Sequence, residues 1–89
     1  MDVRPGEPER LGVTRLQRDL NFAAAVPENR DCSLLLYKKG SVKIEQEIPF
    51  TEEMRFGDVC AVRISQFPAD TYEYNYQIDG KKAYKPGLD

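Results

Sequence analysis

The segment TYEYNYQIDGKKAYKP, residues 71–86, places tyrosine at every second position and runs into Asp79-Gly80, with a lysine-rich stretch beyond. Alternation with period two belongs to a strand, in which residues 72, 74, 76 and 78 share one face. Asp-Gly between two such runs is a strong hairpin signal, because both central residues of a type I′ turn need positive φ. The face carrying Tyr72, Tyr74, Tyr76 and Ile78 is expected to enter the core, and Glu73, Asn75, Gln77 and Asp79 to stay polar and outward. Tyrosine suits such a face because its ring supplies apolar area while its hydroxyl can reach a partner at the edge.

The rest of the chain repeats this theme. GVTRL is a short strand, and DLNFAAAV a second in which Phe22, Ala24 and Val26 lie on one side before Pro27 ends it. CSLLLYKK is apolar on both sides, as suits a central strand covered on both faces or one with a face covered by a neighbouring domain. Gly40 and Ser41 turn the chain into VKIEQEIPF, where Val42, Ile44, Gln46 and Ile48 oppose Lys43, Glu45 and Glu47. A connector follows in which Thr51, Glu52 and Glu53 can start one helical turn, then VCAVRIS, then the tyrosine strand and KKAYK. RLQRDL has helical flavour but is too short to hold a helix. Turn signals every eight to twelve residues predict an all-β fold, an immunoglobulin-like antiparallel β-sandwich of about 6–8 short strands. Residues 1–10 read as an extended lead-in, 11–86 as the sandwich, and 87–89 as the start of a linker.

An 89-residue chain leaves little room for a deep, walled active site beside its core. Its net charge of −2 argues against a nucleic-acid surface. No apolar run approaches the roughly 20 residues that span a bilayer, so no membrane crossing is expected. The charged, proline-containing start is unlike a secretory signal, which points to a cytoplasmic protein. Cys32 and Cys60 read as small buried hydrophobes. The chain has no histidine, which removes imidazole catalysis and leaves zinc at most two soft ligands. Neither a metal nor another cofactor is implied. Glu45–Glu47 and Glu52–Glu53 are paired carboxylates, but on a strand edge and a loop with no walls to raise a pKa. Lys38–Lys39 and Lys81–Lys82 flank turns and protect edges. The chain is not expected to be an enzyme by itself.

The order of segments resembles the family 48 carbohydrate-binding modules that precede the catalytic barrel in family 13 glycoside hydrolases, over roughly residues 5–86. PGEPERLGVT and LNFAAAVPENRDCSLLLYKKG are similar to that family's opening, with its N-F-A-x-x-x-P-x-A and L-x-L-Y/F elements. IPFTEEMRFGDVCAVRI is similar to its G-x-V-W/Y strand, and ADTYEYNYQIDG to its Y-x-Y-x-x-D-G hairpin. LLLYKKG and EIPFTEE look closest to the pullulanase and glycogen-debranching branch.

The resemblance implies an accessory β-domain of a bacterial α-1,6-glucosidase or pullulanase-type enzyme. Its implied partners are the (β/α) barrel of the same parent chain and α-1,4/α-1,6-glucan. Carried over, the polar sugar contact of the hairpin falls on Asn75 and the stacking tryptophan on Lys82, with Tyr84 as an aromatic nearby. The chain has no tryptophan, and the family's Asp-Pro-Tyr exit is replaced by Lys85, Pro86 and Gly87. The expected role is therefore docking on the barrel, with at most weak glucan contact and with Leu35 and Tyr37 as the interdomain surface. An autonomous glycogen- or starch-binding module is the alternative, and a protein-interaction sandwich unrelated to glycans is the third.

Overall fold

The computed structural model describes residues 2–82, which form two units, each built on one antiparallel sheet. The all-β class and the antiparallel pairing read from the sequence are what the structure contains.

The first unit comprises residues up to Asn29 together with Phe50–Phe67. Its strands are β1 (Val3–Pro5), β2 (Gly12–Leu16), β3 (Asp19–Ala25), β6 (Arg55–Phe56) and β7 (Val59–Ile64), in the order β1-β7-β3-β2 with β6 also on β7. β3 and β7 pair from Leu20↔Ile64 to Ala25↔Val59, which sets Leu20, Phe22, Val62 and Ile64 on one face. All four are buried, and Phe67 meets Phe22 edge to face with ring centroids 5.7 Å apart. Such a pair adds about 0.5–1.5 kcal/mol beyond the area it buries.

The other face of this sheet is polar yet buried. Residues 6–11 connect β1 to β2, which lie on opposite edges, and they cross the sheet to do so. Asn21 on β3 holds them: its Oδ1 accepts from the Glu7 amide at 2.7 Å and its Nδ2 donates to the Glu7 carbonyl at 3.1 Å. The Gly6 amide donates to the Ala61 carbonyl at 3.0 Å. A Cβ on Gly6 would overlap Asn21 Oδ1 and stand 2.9 Å from the Val62 backbone, so glycine is what allows this approach. The lead-in is thus extended, as expected, but it is also a paired edge strand and a strap. Burial of Asn21 follows, because both ends of its amide are satisfied by the strap.

Asp19 completes that face. Its Oδ2 accepts from Arg63 Nε on β7 at 2.6 Å and from Arg4 Nη2 on β1 at 3.2 Å. The Arg63 hydrogen bond holds the Asp19 carboxyl below its ordinary range. Partial burial works the other way, and the charge of Arg63, the Gln66 backbone amide and Arg4 add to the lowering.

The second unit comprises Arg30–Pro49 and, of the described residues, 68–82. Its strands are β4 (Cys32–Lys38), β5 (Ile44–Pro49), β8 (Tyr72–Ile78) and β9 (Lys81–Lys82), in the order β5-β4-β8-β9. β4 is central, and Leu34, Leu35 and Leu36 are all fully buried, so both of its faces are covered. β5 begins at Ile44, later than the alternation suggested, and Val42 is exposed rather than part of its buried row. The turn accounts for this: the Ser41 amide donates to the Lys38 carbonyl at 2.9 Å and Ser41 Oγ accepts from the Lys43 amide at 3.1 Å. These bonds hold residues 41–43 out of the ladder, and the β4–β5 register shifts between Leu36 and Tyr37.

The single helical turn expected after Thr51 is a 3-10 turn at Glu52–Met54. RLQRDL is the β2–β3 hairpin, with Gln17 at φ 59° in its two-residue loop.

Candidate functional site

The β8–β9 hairpin holds Asn75 and Lys82, the positions at which the family resemblance implies glycan contact. Asp79 and Gly80 have φ of 50° and 79°, so the turn uses the left-handed backbone that Asp-Gly favours. The turn is also anchored to the start of β4. The Asp79 amide donates to the Asp31 carbonyl at 2.8 Å, and the Asp31 amide returns a bond to Asp79 Oδ1 at 2.9 Å. Arg30 Nη1 reaches Asp79 Oδ2 at 2.7 Å. Both side chains of this ion pair are solvated, which limits its worth to about 1 kcal/mol or less. At the other end of the β4–β8 pair, the Lys39 amide donates to the Thr71 carbonyl at 2.9 Å and the Gly40 amide to Glu73 Oε1 at 3.3 Å. The hairpin is therefore braced at both ends on β4.

Within the hairpin the two faces depart from expectation. Tyr72, Tyr74 and Tyr76 are half-buried rather than core residues, and the buried residue of β8 is Asn75. Tyr74 and Tyr76 meet edge to face, with centroids 5.7 Å apart. The physical reason is β4. Leu34 and Leu36 stand opposite Tyr76 and Tyr74, while Leu35 and Tyr37 stand opposite Asn75 and Glu73. Apolar residues on both faces of β4 draw the supposedly outward face of β8 inward as well. Half-burial lets a phenol place its ring on leucine and keep its hydroxyl wet.

Asn75 is 3% exposed, and its Oδ1 accepts from the Tyr76 amide at 2.9 Å. It does not stand on a solvated hairpin face, where a sugar hydroxyl would have to meet it. Leu35 is 0% and Tyr37 3% exposed, so neither presents the open interdomain surface expected of them. The register instead makes Leu35 and Asn75 direct cross-strand neighbours. Lys82 lies in β9, opposite Gln77. Tyr84 and the altered exit at residues 85–87 lie outside the described residues.

Other expected features fall as follows. Glu45, Glu47, Glu52 and Glu53 are all exposed. Cys32 and Cys60 are buried free thiols, and burial pushes the Cys60 thiol up against a smaller opposing pull from Arg55. Shallow depressions among the described residues include three that each lie within one unit. The first, of about 330 Å³, is lined by Lys38, Ser41, Lys43, Ile44 and Glu45. The second, of about 320 Å³, has Glu28, Glu52, Arg55 and Gly57. The third, of about 360 Å³, has Ala25, Val26, Pro27 and Asp58. No helix among the described residues is long and apolar enough to cross a membrane.

What the sequence reading missed is the bracing of the turn. Arg30 and Asp79 are 49 residues apart, and neither spacing nor composition links them. The Asp-Gly pair marked the turn, but only the β4–β8 register brings residues 30 and 31 beside it. Compared with protein-family models and with curated proteins, the chain matches none at a significant level.

Proposed function

We propose that this chain is a non-catalytic accessory β-module of an α-glucan-debranching or pullulanase-type glycoside hydrolase. Its work is structural docking on the catalytic barrel of the parent chain, with at most weak contact to α-glucan. Two of the segments that carry the resemblance, L-L-L-Y on β4 and Y-x-Y-x-x-D-G on β8, lie side by side in register, and the Asp-Gly turn is bolted to the start of β4. The observation that weighs most between docking and glycan binding is the burial of Asn75. A buried amide engaged with backbone cannot bond sugar without opening the strand pair, which favours a structural hairpin over a sugar-reading one.

The test uses the longer polypeptide that the proposal requires. Removing residues 1–86 should leave an insoluble or less heat-stable enzyme. A truncated enzyme as stable and active as the full one, or a longer polypeptide without a family 13 barrel, contradicts the proposal.

A further inference from the structure

The open strand edges of the two sheets are not equally protected. β1 has three residues and ends in Pro5. β6 has two residues. β5 carries Glu45, Glu47 and Pro49, and its register on β4 is shifted. Short length, proline, charge and irregular register are the usual defences against strand addition. β2 lacks most of them. It spans five residues, contains no proline and pairs with β3 without a shift. It is an end strand of its sheet, and an antiparallel ladder leaves every second N–H and C=O on the open side.

The side chains there have a definite chemistry. Val13 is 36% exposed and Arg15 follows it on the same face of β2, while Leu11, 63% exposed, precedes the strand, which opens at Gly12 with φ 93°. Arg10, Arg15 and Arg18 fall in a nine-residue stretch with no acidic residue, although the chain's net charge is −2. Arg10 is occupied by Glu7 at 2.8 Å, while Arg15 and Arg18 stand exposed. This local cationic field repels a second β2 edge and attracts carboxylates.

We propose that β2 is a strand-addition site for an extended acidic segment of another protein. The added strand would place an apolar side chain beside Val13 and a carboxylate beside Arg15, with main-chain bonds supplying affinity and the side chains selectivity. This surface is independent of the glucan-related reading and stands or falls without it.

The probe is a capped, labelled peptide, Glu-Thr-Val-Thr-Val-Thr-Glu, titrated into the 89-residue chain and followed by anisotropy and amide NMR. Saturable binding is expected, weakened by salt, with shifts confined to residues 11–16. The double substitution R15E/R18E should reduce affinity at least tenfold, and the milder R15Q/R18Q should reduce it in the same direction with the amide spectrum otherwise unchanged. Replacing both peptide glutamates by lysine should abolish binding. The proposal is overturned by no saturable binding in the millimolar range, by equal binding of the charge-reversed protein or of the lysine peptide, or by shifts on β5 instead. It is also overturned if β2 resonances change with protein concentration alone, since a second copy would then be the occupant.

Discussion

Leu35 and Asn75 face each other across β4 and β8, and both are buried. One was expected to cover a neighbouring domain and the other to touch sugar. Their pairing turns both into structural residues of one strand pair. Leu35→Ala should therefore destabilise the chain by about 2–5 kcal/mol, the range for leucine truncation in a filled interior. Asn75→Ala should cost about 1–3 kcal/mol, because a buried side chain that accepts from the Tyr76 amide is removed. Urea denaturation measures both, and a variant within error of the parent would show that its position is not packed as described.

The strap makes a separate prediction. Gly6→Ala forces a methyl against the Val62 backbone and Asn21 Oδ1, so it should destabilise by about 1–3 kcal/mol. Asn21→Leu removes both bonds to Glu7 and should release the strap. Amide exchange at Gly6 and Glu7 should then become fast while β7–β3 amides stay protected. Protection of Gly6 and Glu7 in the Asn21 variant would contradict the clamp.

Asp19 fixes the acid limit of the first unit. Its folded-state pKa is lowered, chiefly by the Arg63 hydrogen bond, so the unfolded chain binds more protons at acid pH and stability rises with pH there. The contribution is fully present above the unfolded value, near 4, and is lost as pH falls through the lower folded value. Melting temperature should be flat from neutrality to about pH 5 and drop below that. Asp19→Asn should flatten the drop and lower the plateau. A variant with the parent's acid profile would remove Asp19 from this role.

Cys60 is fully buried with its thiol pushed up, so little thiolate forms at neutral pH. A disulfide reagent should label it only as fast as the chain opens, and denaturant should accelerate labelling steeply. Immediate labelling of Cys60 in native buffer would be inconsistent with its position in β7.

These particulars show which links were legible from residue order. Strand identity was legible in the period-two segments, and Asp79-Gly80 specified its turn because few pairs accept positive φ twice. Hidden were the features that depend on which strands become neighbours. Asn75 is drawn inward because β4 is apolar on both faces, with Leu35 directly opposite it. The lead-in strap depends on Asn21 finding Glu7 over the sheet, a contact with no local signature. Pro5-Gly6 hinted only at a break, and Arg30 gave no sign that it would meet Asp79. At the candidate site, Asn75 was found as a distinctive residue but assigned the wrong environment.

The most direct test of a structural, rather than sugar-reading, hairpin is a two-dimensional amide NMR titration with maltoheptaose into the millimolar range. The expected result is the absence of saturating shifts at Asn75, Asp79 and Lys82, with the spectrum otherwise unchanged. Saturable shifts clustered on those three residues would contradict it, and would mean that the β8–β9 hairpin opens a sugar site despite the burial of Asn75.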